Sequence, residues 1–219
     1  MPAQNTPASP SAARPSRLIT VDLSRLTVKE AAAPAELARY GGRALTVRLL
    51  ADRIPQYADP RGPRNVLVLA PGLLAGYPIS SASRLSAGGK SPLTGGIKES
   101  SAGGVTGGLL ARLGVKALVF EGEAPASAGG PFALVVDFAG ARLVATPELR
   151  GLGVYPAAAK LREAYGPEAG LVLVGPAGER GCASACLCGT DPEGNPTRVN
   201  GRGGLGAVLG RKGVKAVVV

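Results

Sequence analysis

Two glycine-rich octets, one in mid-chain and one near the C-terminus, restrict what this chain can fold into more than any other feature. Gly107–Gly114 reads GGLLARLG and Gly203–Gly210 reads GGLGAVLG, a shared GGLxAxLG. Each leads to Val-Lys-Ala and an apolar stretch, Val115–Phe120 and Val214–Val219. Upstream of each lies another apolar run ending in proline, Val66–Pro71 and Leu171–Pro176. The pattern reads as a degenerate internal repeat of strand, glycine-rich loop, short helix and strand. In the first copy the loop extends back through Ser91–Gly96 and Gly103-Gly104; in the second it covers Arg198 to Gly210.

Glycines let a backbone approach a ligand closely, and the first N–H groups of a helix have no partner inside it. Such donors, with the positive end of the helix dipole, favour an anion such as phosphate. Two related loops suit two phosphate-bearing groups or the two ends of one large cofactor. A glycine-rich loop on its own is often only a tight turn. Repetition and nearby basic residues are what raise the ligand reading here.

Lys and Arg number 25 against 15 Asp and Glu, a formal charge of +10. That balance suits nucleic acid, a membrane surface or an anionic cofactor. The basic residues form no run, and aromatics are 4% with no Trp, so platforms for stacking bases are scarce and no nucleic-acid partner is expected. No apolar run approaches the length of about 20 residues that spans a bilayer, so no membrane partner is expected. Histidine is absent, which removes Ser–His–Asp and Cys–His catalysis and all His-ligated metal sites. Three cysteines without a secretory signal point to a reducing cytoplasm rather than a disulfide scaffold.

Met1–Arg17 carries four prolines and no acidic residue, and reads as a disordered tail. Its Ser/Arg bias is that of a transit peptide, but the prolines break the amphipathic helix such a peptide needs. Residues 18–219 form one domain. Leu18–Leu23 alternates like a strand and Leu26–Lys29 reads as its hairpin return. Pro34 opens a helical pattern to Tyr40; Gly41-Gly42-Arg43 interrupts it, and Ala44–Ile54 resumes it. Arg43 reads as solvated, or as aimed at an anion. Val66–Ala70 is apolar throughout, as in a strand buried on both faces. Ile79–Ala87 reads as a strand with Arg84 in its middle, either showing that arginine to water or offering its fork to phosphate oxygens. Phe132–Phe138 and Ala141–Ala145 flank a hairpin turn, Tyr155–Tyr165 is helical, Leu171–Val174 is a strand, and Asp191–Thr197 a loop. Cys182, Cys186 and Cys188 share parity on an extended strand, but ligands to an iron–sulfur cluster usually have two residues between them and are four in number. They read as small buried apolar residues.

At this point a family resemblance emerges. KSPLTGG (Lys90–Gly96), SSAGG (Ser100–Gly104), VGPAGE (Val174–Glu179) and GRGGLGAVLG (Gly201–Gly210) are similar to segments of the N-terminal domain of the aldehyde ferredoxin oxidoreductases. VDLS at Val21 and YGGRAL at Tyr40 add to them, in the family's order. The resemblance implies an α+β domain of two pseudo-symmetric β-sheets with short helices. On that base a tungsten or molybdenum atom is held by two pterin dithiolenes (tungstopterin or molybdopterin), with Mg²⁺ bridging their phosphates. It implies backbone carbonyls of Ser101 and Val199 as Mg²⁺ ligands. It further places Arg84, Gly103, Gly104, Arg198, Gly201, Arg202 and Gly203 around the pterins and phosphates.

The implied reaction is two-electron oxidation of an aldehyde to a carboxylate, with electrons passed to ferredoxin. In the family, helical domains beyond this one carry the [4Fe–4S] cysteines and the acid–base residues. Those are therefore expected on a separately encoded catalytic chain, and none is carried onto Cys182, Cys186 or Cys188. Departures from the family pattern are Ser101 in place of Asn, Ser83 in place of Gly, and Ala70–Gly76 in place of Gly-Pro-Leu-Thr-Gly. Other readings are a non-catalytic pterin carrier or assembly factor, and a degenerate structural partner.

Overall fold

The computed structural model describes residues 16–219. The tail expected over Met1–Arg17 lies outside the described residues except at its end, where Arg17 already belongs to a strand. The first half runs β1 (Arg17–Asp22), β2 (Thr27–Ala32), α1 (Gly42–Arg53), β3 (Leu67–Pro71), β4 (Leu85–Lys90), β5 (Ile97–Ala102), α2 (Thr106–Arg112) and β6 (Val115–Glu121). The second runs β7 (Phe132–Asp137), β8 (Gly140–Ala145), α3 (Val154–Tyr165), β9 (Leu171–Leu173), α4 (Pro176–Glu179), β10 (Leu187–Gly189), β11 (Arg198–Asn200), α5 (Leu205–Arg211) and β12 (Val214–Val218).

Each half forms one mixed six-stranded sheet, in the orders β2-β1-β6-β3-β4-β5 and β8-β7-β12-β9-β10-β11. Every strand of one sheet has its counterpart in the other, and the directions agree: β1 is parallel to β6 as β7 is to β12, and the remaining pairs are antiparallel. The repeat is thus larger than the octets suggested and includes the hairpin that opens each half. Its register also differs. Thr106 corresponds to Leu205 and Val115 to Val214, so Gly107 matches Gly206 rather than Gly203. Identical letters had aligned glycines inside one helix with glycines ahead of the other.

The shared Val-Lys-Ala has a structural reason. In the β1–β6 pairing Lys116 is skipped between Val115 and Ala117, and in β7–β12 Lys215 is skipped in the same way, each a β-bulge. Lys116 Nζ donates to Ala38 O at 3.1 Å, while Lys215 Nζ donates to Leu152 O at 2.6 Å and pairs with Glu179. Lys215 is fully buried, and these partners satisfy its charge.

Alternation sorts the apolar residues into three layers. Ile19, Leu67, Leu69, Leu118 and Phe120 of the first sheet meet Leu134, Val136, Val172 and Val217 of the second, with Leu110 of α2 and Leu205, Val208 and Leu209 of α5 between them. Outward residues of the first sheet, Val68 and Val119 among them, pack under Leu45, Leu49 and Leu50 of α1. Ala133, Leu173 and Val218 pack under Ala157, Ala158 and Leu161 of α3. The double-sided burial read from Val66–Ala70 follows from this sandwich of helix, sheet, sheet and helix.

Other expectations shift. The helix over Pro34–Tyr40 is only a 3-10 turn, Ala35–Leu37, because Leu37 alone is buried and Gly41-Gly42 follow. Ile79–Ser83 is not strand: Tyr77 and Ile79 are exposed, Ala82 N donates to Ile79 O, and extended pairing begins at Leu85. The first glycine-rich stretch hides a strand. Ser91–Gly96 is a hairpin turn, closed by Ser91 N to Gly96 O at 2.8 Å with Gly95 left-handed, and β5 follows it. Of the three cysteines, only Cys188 lies in a strand; Cys182 is exposed on a turn and Cys186 half-buried.

Candidate functional site

Strands β5 and β11 are the matching edges of the two sheets, and each runs directly into one of the glycine-rich loops. Pairing aligns them: Ser86 sits opposite Ser101, and Cys188 opposite Val199. Leu85 and Leu187, the inward leucines one step earlier, confirm the match. Ser101 and Val199 therefore hold equivalent positions on edge strands, where alternate backbone groups have no ladder partner.

The following loops differ by one residue, Gly103–Val105 against Gly201–Gly204. They lie against one another. Arg202 N donates to Ser100 Oγ at 3.4 Å, and Asn200, 2% exposed, bridges the sheets by donating from Nδ2 to Ser100 O at 2.7 Å and Leu85 O at 3.2 Å. A Cβ added to Gly104 would stand 2.4 Å from Thr190 O and 3.2 Å from Arg198 Cγ; one on Gly203 would stand 2.9 Å from Lys98 Cβ. Gly104 and Gly203, both at positive φ, thus press against protein. Gly103 and Gly201 do not: nothing lies within 4 Å of a Cβ at Gly103, and only Val199 Cγ1, at 3.6 Å, near one at Gly201.

The sequence reading expected free N–H groups at the helix starts, and this is corrected. Both helices are seven residues long and begin inside the core. Their first amides are already spent, Val105 N on Thr190 O of the other half at 3.1 Å and Gly206 N on Ala185 O of its own half at 3.0 Å. Charge for an anion comes instead from side chains. Arg84, Arg198 and Arg202 are exposed at this edge, joined by Lys98 of β5, which sequence reasoning missed and which only its contact with Gly203 identifies. Arg84 Nε donates to Ser101 Oγ at 3.0 Å and its NH2 to Ser101 O at 2.8 Å. The Thr197 hydroxyl, 2.6 Å from Asp191, holds that carboxyl below its usual range, and Arg198 adds to the effect. Arg43 is largely exposed, as a solvated arginine would be, and pairs with the Glu99 carboxylate at 2.8 Å.

The second half has no guanidinium where Arg84 sits. Cys186 occupies that place, with its Sγ 3.9 Å from Cys188 Sγ. The hydrogen bond from Cys188 draws the Cys186 thiol down to about 6, and the same bond pushes Cys188 up.

The arrangement fits a ligand with two anionic groups: donors that fork onto phosphate oxygens, two abutting loops, and two glycines with open space before them. A family model described as aldehyde ferredoxin oxidoreductase, N-terminal domain, matches residues 18–219. Tungsten-containing aldehyde ferredoxin oxidoreductase from Pyrococcus furiosus is 33% identical over 206 residues, covering 93% of this chain and 33% of that protein. The enzyme of the same name from Thermococcus kodakarensis is 32% identical, with the same coverage. Among solved structures, the active site complex BamBC of benzoyl coenzyme A reductase, in complex with 1,5-dienoyl-CoA, has a TM-score of 0.86 and 29% identity over 94% of this chain and 31% of that one. The chain spans about a third of the length of the curated relatives it matches.

Proposed function

The chain belongs to the aldehyde ferredoxin oxidoreductase family, whose N-terminal domain it matches from residue 18 to residue 219, and on that footing we propose that it holds a bis-pterin tungsten or molybdenum cofactor. Such a cofactor, when bound, supplies two-electron redox chemistry at its metal. The chain's own part is to bind and orient. Arg84, Arg198 and Arg202, aided by Lys98, would hold the phosphates and pterins; Gly103 and Gly201 would leave room for close approach; the Ser101 and Val199 carbonyls would be the ligands of a Mg²⁺ ion. Any side-chain contact from the family's Asn is gone at Ser101. Arg84, bonded to both the hydroxyl and the carbonyl of Ser101, braces that position instead.

The observation that carries this reading is the equivalence of Ser101 and Val199 on the two edge strands. Around the cofactor, a separately encoded chain in the same reducing cytoplasm completes the enzyme. It supplies the [4Fe–4S] cluster, passes electrons to ferredoxin, and closes the pocket in which an aldehyde becomes a carboxylate. Among the described residues no helix is long and apolar enough to cross a membrane.

Elemental analysis and pterin release after co-expression with a cysteine-bearing helical partner test the proposal. Tungsten or molybdenum and pterin should co-purify with the pair, and aldehyde-dependent dye reduction should follow. Metal and pterin without turnover would assign the chain to cofactor carriage, and neither metal nor pterin would sink the reading.

A further inference from the structure

The thiols at the start of β10 form a second constellation that the cofactor cradle does not use. Cys186 and Cys188 flank the inward Leu187, so both project from the opposite face of the sheet, with their sulfurs 3.9 Å apart. Their backbone is held on all sides. Strand β10 lies between β9 and β11, and Gly206 N donates to Ala185 O at 3.0 Å. A Cβ on Gly206 would stand 2.2 Å from Cys186 O, so α5 is seated directly on this segment. The pair is a rigid chelate with one half-buried and one buried sulfur.

We propose that Cys186 and Cys188 together bind one thiophilic d¹⁰ metal ion. With metal–sulfur bonds of roughly 2.3 Å, their separation subtends roughly 116° at the ion, close to a tetrahedral angle. Soft thiolates select such ions over hard cations. Direct oxidation is the poorer fit, since residues two apart on a strand have Cα atoms roughly 6.6 Å apart, at the long end of the disulfide range. Among the described residues no group of three or more Cys, Asp or Glu is arranged to hold a metal, so the remaining positions fall to solvent or an external thiol. Both sulfurs bind as thiolates, and a proton passes to buffer from each that is still an S–H when the ion arrives.

The test is titration of the reduced, degassed full chain with Cd²⁺, read by the ultraviolet thiolate-to-cadmium band. One ion per chain is expected, with the band lost in Cys186→Ser and in Cys188→Ser and kept in Cys182→Ser and in Arg202→Ala. A second readout needs no variant: peptide mass spectrometry after iodoacetamide should find Cys186 protected by Cd²⁺ and Cys182 equally labelled with or without it. A band that survives loss of both thiols, one that vanishes in Cys182→Ser, or unprotected Cys186 in loaded protein overturns the proposal. None of these outcomes bears on the pterin reading, which Arg202→Ala addresses separately.

Discussion

Arg84 and Cys186 occupy the same place in the two halves of the molecule. Each precedes the inward leucine that opens its strand, Leu85 or Leu187, and a helical glycine presses on the backbone of each. A Cβ on Gly107 would stand 3.1 Å from Arg84 C, and one on Gly206 2.5 Å from Cys186 C. The halves repeat the backbone but not the chemistry: a guanidinium stands at this place in the first half and a thiol in the second. A symmetric frame therefore carries an asymmetric site.

The exposed arginines are expected to act on the ligand and not on the fold. Arg198→Ala and Arg202→Ala should leave the unfolding free energy from urea titration unchanged to within about 0.5 kcal/mol, while the tungsten or molybdenum retained by the co-expressed pair falls. Metal content and denaturation measured on the same preparations check this; a large stability loss with normal metal content contradicts it.

Two neighbouring glycines should separate room for a ligand from room for the fold. Gly104 has φ +110° and a would-be Cβ 2.4 Å from a backbone oxygen, so Gly104→Ala is expected to cost about 2 kcal/mol or more. Gly103→Ala meets nothing within 4 Å and should be nearly silent in denaturation. If a cofactor approaches there, Gly103→Ala should still lower its retention.

Lys212, 2% exposed at the end of α5, donates to Gly122 O at 2.8 Å and to Asn65 O, tying that helix to the end of β6 and the neighbouring start of β3. Burial lowers its pKa from 10.5 to about 8, against smaller opposing effects of Glu123 and Glu121. Between those values the unfolded chain binds the proton and the folded one releases it. Stability should therefore rise with pH across that window, by up to about 3 kcal/mol. Lys212→Met should abolish the rise in a series of urea titrations at increasing pH. A flat profile in the parent protein would contradict this.

Asn200 joins the sheets through two carbonyls of the first half. Its replacement by Ala leaves both without their donor and should cost about 2 kcal/mol. The loss should appear in denaturation, together with faster amide exchange in β5, the strand that Asn200 holds against β11.

Much of the layout was legible in the chain itself. Alternation and continuous apolar runs marked β1, β3, β7 and β12, because a strand buried on one or both faces must display that burial in its residue types. The octets announced a repeat, and the ordered motifs from Val21 to Gly210 announced the family. The misreadings have a common cause. Ile79–Ser83 has the residue types of a strand but no ladder pairing, and Gly107 and Gly203 share a letter and its neighbours while one is helical and the other is a left-handed loop glycine.

What the sequence determined by itself is a repeated unit of strand, glycine-rich loop, short helix and strand, since periodicity and local backbone freedom are properties of adjacent residues; the two related sheets were an implication of the family resemblance. What only the tertiary structure decided is which residues meet and which hold matching places: Gly203 against Lys98, Asn200 against Ser100, Ser101 in the place of Val199 and Arg84 in that of Cys186. Those relations cross from one half of the chain to the other, and they arise when two separately patterned sheets bury their faces together, an event that no local spacing encodes.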